Sequence, residues 1–169
     1  MKKGAGKTVS EDRIRRGFLE TPIGLLQVSE SRGAIIDVRF AGGRRPVVSD
    51  SSPELEKCLR QLGEYFAGKR KVFDLDLAPN GTDFEKRVWA EVLKIPFGES
   101  SSYGAIASTL GREGAARAVG GANGKNPIVV IIPCHRVLGS GGGLVGYGGG
   151  LWRKKWLLGH EQPSLKLKN

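Results

Sequence analysis

The sequence predicts an α+β protein: a small antiparallel sheet with a helix in the first half, and a set of short helices in the second. Three observations predict it. Short apolar segments punctuated by glycine and proline fill residues 18–48. Apolar residues then recur at helical spacing after Ser51-Ser52-Pro53-Glu54 and again after Thr82-Asp83. Beyond Pro96-Phe97-Gly98 the segments shorten and glycine separates them, as in helices packed through tight connections.

The strand candidates are Gly17-Phe18-Leu19-Glu20-Thr21-Pro22, Leu25-Leu26-Gln27-Val28 and Ala34-Ile35-Ile36-Asp37-Val38-Arg39-Phe40, with Gly24, Arg32-Gly33 and Gly42-Gly43 turning the chain. A serine cap and a proline in the first turn open a helix carrying Leu55, Leu59, Leu62 and Phe66, closed by Gly68. Cys58 falls inside it, where packing is the expected role. Val72-Phe73-Asp74-Leu75-Asp76-Leu77 alternates as a strand would. Thr82 or Asp83 caps a helix with Phe84, Val88, Trp89, Val92 and Leu93, which ends before Ile95-Pro96. Ser101 or Ser102 caps the next, Tyr103 to Leu110, stopped by Gly111, and another follows over roughly 115–122. Two short helices joined through a glycine-containing turn fit a helix-turn-helix, although ordinary helix packing gives the same pattern. The branched run Ile128-Val129-Val130-Ile131-Ile132 predicts a buried strand ended by Pro133.

At 169 residues the chain suffices for one domain, or one small domain plus a helical module. Two cysteines make no disulfide framework and no zinc spacing. No apolar run approaches a membrane span, and no hydrophobic signal segment follows the basic Met1–Lys7, so an intracellular location is expected. The formal charge of +10 is unevenly placed. Residues 1–17 hold six Lys/Arg against two Asp/Glu, residues 18–110 twelve against thirteen, and residues 111–169 nine against two. The last segment is therefore the one suited to a polyanion. The leading cations read as a basic flexible arm.

Chemistry concentrates at Pro133-Cys134-His135-Arg136. A thiolate is the nucleophile, and a free cysteine with a pKa of about 8.5 holds little of it at neutral pH. An adjacent base or a positive field changes that, and His135 and Arg136 offer both. A small core cysteine with a chance neighbour is the plain alternative. Ala115-Ala116-Arg117-Ala118-Val119-Gly120-Gly121-Ala122 presents one long cation among small side chains. Such a surface suits close approach to a minor groove, or equally close helix packing. Gly139 to Gly150 holds eight glycines in twelve residues around Ser140, Leu144, Val145 and Tyr147. It fits a wall around a flat ligand or a linker of tight turns. It lacks the Lys-Ser or Lys-Thr of a phosphate cradle, and Gly4-Ala5-Gly6-Lys7-Thr8 lacks the strand and first glycine of a P-loop.

Ordered blocks across residues 18–161 resemble the alkylated-DNA–protein-cysteine alkyltransferases. They are Val88-Trp89, Ile95-Pro96-Phe97-Gly98, Ser102-Tyr103, Ile106-Ala107, Ala116-Arg117-Ala118-Val119-Gly120, Ala122-Asn123-Gly124 and Asn126-Pro127. There follow Ile132-Pro133-Cys134-His135-Arg136-Val137, Gly146-Tyr147, Gly150-Leu151, Lys154, Leu157-Leu158 and Glu161. The resemblance implies a ribonuclease H-like first domain over residues 18–81. A winged-helix-like domain over 82–162 would carry the helix-turn-helix and the alkyl acceptor, with arm 1–17 and tail 163–169 outside both.

It also implies a function: repair of O6-alkylguanine, and of O4-alkylthymine, by transfer of the alkyl group to Cys134. His135 would take the thiol proton through an ordered water, and Glu161 would orient the imidazole. Asn126 would bridge the helix-turn-helix to the active-site turn, Tyr103 would donate towards the base, and Arg136 would brace the site. Arg117 would replace an everted nucleotide in the stack. Tyr103, Gly104, Arg112, Ala116, Ala118 and Ser140 would meet DNA. Pro133, Val145, Tyr147 and Gly148 would line the alkylguanine pocket, with Val145 and neighbouring glycines setting which alkyl groups fit. Many relatives carry serine where this chain has Gly148, which leaves only a backbone amide there. No cofactor, metal or obligate protein partner is implied; the partner is double-stranded DNA carrying the lesion, in the cytoplasm of a prokaryote or the nucleus of a eukaryote. Two other classes are compatible with parts of the pattern: a cysteine hydrolase, and a helix-turn-helix binder with a bystander Cys134.

Overall fold

The computed structural model describes residues 13–43 and 49–164. Three strands, β1 (Arg15–Thr21), β2 (Gly24–Ser31) and β3 (Ala34–Phe40), form an antiparallel sheet in the order β1-β2-β3. Two tight turns connect them, and the second places Arg32 and Gly33 at positive φ between the paired Ser31 and Ala34. β1 begins at Arg15, inside the stretch expected to be a flexible arm; residues 1–12 of that arm, and 165–169 of the tail, lie outside the described residues. β2 runs past Val28 to a buried Glu30, whose carboxylate accepts from Ser52 Oγ at 3.0 Å and Gly33 N at 2.8 Å. Those donors are what permit an acid so deep in a strand.

Helix α1 (Pro53–Phe66) packs across the sheet, capped by Ser52 with proline in its first turn. It buries Leu55, Cys58, Leu62 and Tyr65. Cys58 is fully covered, and burial pushes its thiol up to about 12, which agrees with a packing role. Helix α2 (Asp83–Leu93) starts at Thr82 with a reciprocal cap: Glu85 N donates to Thr82 Oγ1 at 3.2 Å, and Thr82 N to Glu85 Oε2 at 2.9 Å. It inserts Val88, Trp89 and Val92 into a core that runs without interruption from the sheet into the second half. Trp89 Nε1 donates to Ala122 O at 2.9 Å, so the indole's polar edge is satisfied inside that core.

Helices α3 (Tyr103–Thr109) and α4 (Ala116–Gly124) pack on each other and on α2. The strands β4 (Ser101–Ser102) and β5 (Val137–Leu138) make a two-residue parallel pair, which joins the entry of α3 to the segment after Cys134. Helix α5 (Leu151–Glu161) closes the described chain. The architecture is α+β, as expected.

Two expected strands are absent. Residues 72–77 alternate but do not pair as a strand; Leu77 alone bridges to Ile35. Ile128, Val130, Ile131 and Ile132 are buried as expected and Val129 is half-buried, yet only Ile128 bridges, to Val38, and the rest form a turn with Val130 at φ 71. A β-branched residue there costs on the order of 1–3 kcal/mol, offset by complete burial of its side chain. Proline therefore does not end a strand ahead of Cys134. Cys134 opens a 3-10 turn, Cys134–Arg136, that follows this buried turn.

The cap at α2 is expected to carry measurable stability. Thr82→Ala removes one partner of the reciprocal pair and should cost about 1 kcal/mol in urea unfolding; an unchanged midpoint would show the cap to be dispensable.

Candidate active site

The 3-10 turn delivers Cys134, His135 and Arg136 in succession, all buried. Its position is held from two sides. Asn126 Nδ2 donates to Ile132 O at 2.8 Å while its Oδ1 accepts from Ile128 N at 2.9 Å, so one amide clamps the turn that precedes Cys134. From α4, Asn123 Nδ2 donates to Cys134 O at 3.2 Å.

His135 is fully buried, and its Nε2 lies 2.7 Å from Glu161 Oε1 at the end of α5. Glu161 is the hub of the site. Oε1 also accepts from Tyr65 Oη at 2.7 Å and Arg136 Nη2 at 3.0 Å; Oε2 accepts from Arg136 Nε at 2.7 Å and Gly98 N at 3.4 Å. Arg136 Nη1 donates to Ile95 O at 2.6 Å. Burial alone would raise the Glu161 pKa, but hydrogen bonds from His135 and Arg136 outweigh it and hold the carboxyl well below its ordinary range. An ionised Glu161 accepts, so Nε2 of the neutral imidazole carries the proton and Nδ1 presents the lone pair. Nδ1 is buried with no protein partner. Burial depresses the His135 pKa despite the favourable pull of Glu161, which keeps the ring neutral and free to accept a proton at neutral pH.

Cys134 is 4% exposed. Burial pushes its thiol above the ordinary value, against the lowering influence of the Asn126 amide and the Lys154 ammonium. The expected cationic field is present but loses to desolvation, so the resting group is a thiol that needs a base. Lys154 is fully buried on α5, donating to Val137 O at 2.6 Å, Val145 O at 2.9 Å and Gly146 O at 3.5 Å. Burial brings it down to about 8, with Cys134 pulling the other way. This lysine therefore fastens the glycine-rich loop to β5 and places a cation beside the sulfur.

A cavity of about 430 Å³ opens onto Cys134, within the range of small-molecule sites. Asn123, Asn126, Val129, Gly146, Tyr147, Gly148 and Gly149 line it from the second half, and residues 39–42 from the end of β3. Burial raises the Tyr147 pKa well above its ordinary value, and nearby Cys134 raises it further. Tyr103 stands at the mouth of α3, half-buried, its Oη donating to Val145 O at 3.1 Å. Two expected pocket residues stand elsewhere. Val145 is 47% exposed, with its side chain against Gly139, and Pro133 lines a separate cavity with Leu75, Phe97 and Arg136. Neither is among the residues that line the cavity at Cys134.

Of the expected DNA-contacting residues, Gly104, Arg117, Ala118 and Ser140 are exposed and Ala116 is half-buried on α4. Arg112 is exposed too, with its guanidinium over the Phe84 ring, 5.3 Å from the centroid. Among the described residues no cluster of His, Cys, Asp or Glu is placed to hold a metal ion, and no helix is long and apolar enough to cross a membrane. Residue-level reading gave no role to Tyr65, Asn123 or Lys154. Asn123 and Lys154 stand in the motif blocks but carry no local chemical signal; Tyr65 meets Glu161 across 96 positions of sequence.

Comparison with known proteins accounts for nearly the whole chain. Residues 14–79 match the ribonuclease-like domain of 6-O-methylguanine DNA methyltransferase, and residues 83–163 match its DNA binding domain. A methylated-DNA–protein-cysteine methyltransferase of Mycolicibacterium paratuberculosis is 43% identical over 157 residues, covering 88% of this chain and 95% of that relative. One from Methanosarcina acetivorans is 46% identical, covering 83% and 94%. The crystal structure of Mycobacterium tuberculosis O6-methylguanine methyltransferase superposes with a TM-score of 0.81 at 40% identity, covering 92% of this chain and 97% of that one. The same organism's protein in complex with DNA gives 0.79 at 44% identity, covering 86% and 91%. With both halves matched in order and the sulfur, imidazole and carboxylate assembled, the chain belongs to the 6-O-methylguanine DNA methyltransferase family.

Proposed function

We propose that this protein repairs O6-alkylguanine, and O4-alkylthymine, in double-stranded DNA by moving the alkyl group onto its own Cys134. One observation carries the reading: a buried thiol opens onto a purine-scale cavity beside a neutral histidine whose other nitrogen is pinned by a carboxylate. His135 Nδ1 takes the thiol proton through an ordered water, and Glu161 stabilises the imidazolium, the nucleophile–base–orienter order of hydrolase triads. The sulfur attacks the saturated carbon in line and the guanine O6 departs with the bonding pair. Tyr103 and the backbone amides about Gly148 meet that developing charge. Asn126 holds the turn in place, and Arg136 fixes Glu161.

A base within a duplex cannot reach this sulfur. It must be everted, at a cost of a few kcal/mol, and Arg117, exposed on α4, fills the space left in the stack. Ala116, Ala118, Gly104, Tyr103, Arg112 and Ser140 form the face against the DNA, small enough at the alanines and glycine for close approach. The product is a thioether, a poor leaving group, so each molecule acts once. Residues 82–162 carry DNA binding and alkyl acceptance, and residues 18–81 support them. Its substrate places the protein with DNA, in a prokaryotic cytoplasm or a eukaryotic nucleus.

The decisive experiment is intact-mass analysis after incubation with O6-methylguanine DNA. The expected result is one methyl group per chain on Cys134, no further gain with excess lesion, and complete loss in Cys134→Ala with lesion binding retained. Catalytic ester or peptide turnover would mark a cysteine hydrolase instead, and tight binding without mass change a bystander cysteine. Arg117→Ala should slow repair of duplex DNA far more than reaction with free O6-benzylguanine; equal losses would remove Arg117 from base eversion.

The pH profile follows from the histidine. Its depressed pKa keeps the base available until pH falls below the ordinary histidine range. Glu161→Gln removes the carboxylate charge that raises the His135 pKa and leaves a neutral amide as the acceptor, while burial, Arg136 and Lys154 still lower it. The acid limb of the rate profile should move to lower pH while the rate itself drops on the order of 10²-fold. A limb that moves upward would contradict the assignment.

A further inference from the structure

The cavity at Cys134 is not built by the second half alone. Arg39, Phe40, Ala41 and Gly42, at and just beyond the end of β3, face it together with Val129, Gly148 and Gly149. This part of the sheet is fixed in several ways. Val38 N donates to Pro127 O at 2.8 Å, and Val129 N to Val38 O at 3.0 Å, so β3 is tied to the turn before Cys134. Ala41 N donates to Leu25 O at 2.8 Å, continuing the ladder one residue past Phe40.

The Phe40 ring is pinned from its other surroundings. The Arg153 guanidinium lies over it, 4.3 Å from the centroid, a cation–π arrangement. Arg153 itself donates from Nε to Ile23 O at 2.7 Å and from Nη1 to Gly149 O at 2.6 Å. It therefore bridges the β1–β2 turn to the glycine-rich loop with the phenyl ring between. Gly149 shows how close the fit is: a Cβ there would stand 2.7 Å from the Phe40 ring and 2.9 Å from the Tyr147 ring. The ring thus rests on bare loop backbone, beside the tyrosine that neighbours the sulfur, and cannot swing aside without disturbing both.

The geometry points to Phe40 as a specificity-determining residue of the alkyl pocket: a rigid apolar wall, supplied by the N-terminal sheet, that limits the size of the O6 substituent presented to Cys134. This rests on the alkyl-transfer reading above and assigns the size filter to a residue remote in sequence, in place of Val145, which does not line the cavity. An apolar wall suits an alkyl group, and its fixed position sets a length beyond which the carbon cannot align with the sulfur. Space differences of a methylene or more change rates by roughly 10-fold to 200-fold in such pockets.

The test compares rates of alkyl transfer from duplexes carrying O6-methylguanine or O6-benzylguanine, read by intact mass. Phe40→Ala should raise the benzyl-to-methyl rate ratio by roughly tenfold or more, and Phe40→Trp should lower it several-fold. Thermal melting of each variant accompanies the rates. The ratio is the readout because loosened packing alone slows both substrates together. A ratio unchanged in both variants, whether the two rates hold or fall in parallel, overturns the proposal. Failure of the unaltered protein to accept a methyl group at all would sink the repair reading, and this inference with it.

Discussion

The arrangement depends on one buried carboxylate. Glu161 gathers Tyr65 from α1, Gly98 from the connection after α2, and His135 and Arg136 from the 3-10 turn. A charge in such a place is tolerable because a guanidinium and several further donors surround it. In return the carboxylate fixes the imidazole's tautomer, the turn that carries the sulfur, and the seating of α5 against the rest. Stability and reactivity are therefore not separable at this residue. Its loss would leave Arg136 buried without its counter-ion and His135 without orientation.

Burial governs the electrostatics in a consistent direction. It raises the thiol, lowers the imidazole and lowers the lysine, so each group is pushed toward its neutral form. A neutral thiol beside a neutral base is a poised pair rather than a standing ion pair. Charge separation is then required only when a substrate occupies the cavity. Lys154 helps at that moment as the nearby cation, while its three carbonyl contacts keep the glycine-rich loop from drifting.

Much of this was legible from sequence, for identifiable reasons. Caps, turns and helical spacing are local, and Ser52, Thr82, Ser102 and Arg32-Gly33 stand where local chemistry places them. Adjacent Cys134 and His135 advertise a reactive pair. Two strand-like segments do not form strands because period and apolarity describe burial, not pairing. Most of residues 128–132 are buried, but apart from the contact of Ile128 and Val129 with Val38 their backbone bonds go to a turn and to Asn126. Residues 72–77 alternate in exposure but meet β3 only through the Leu77 bridge to Ile35. Glu161 entered only through resemblance, since it lies 26 residues from His135 with no motif between. Tyr65, Arg153 and Phe40 gave no sign at all, because their significance arises from contacts between the two halves.

The covered, protonated state of Cys134 has a consequence for durability. Peroxide and other stray electrophiles select sulfurs that are exposed and ionised. A protein spent on a single lesion would lose its whole value to one such accident. With the sulfur 4% exposed and Cys58 sealed as well, both thiols present little surface and little thiolate to such reagents.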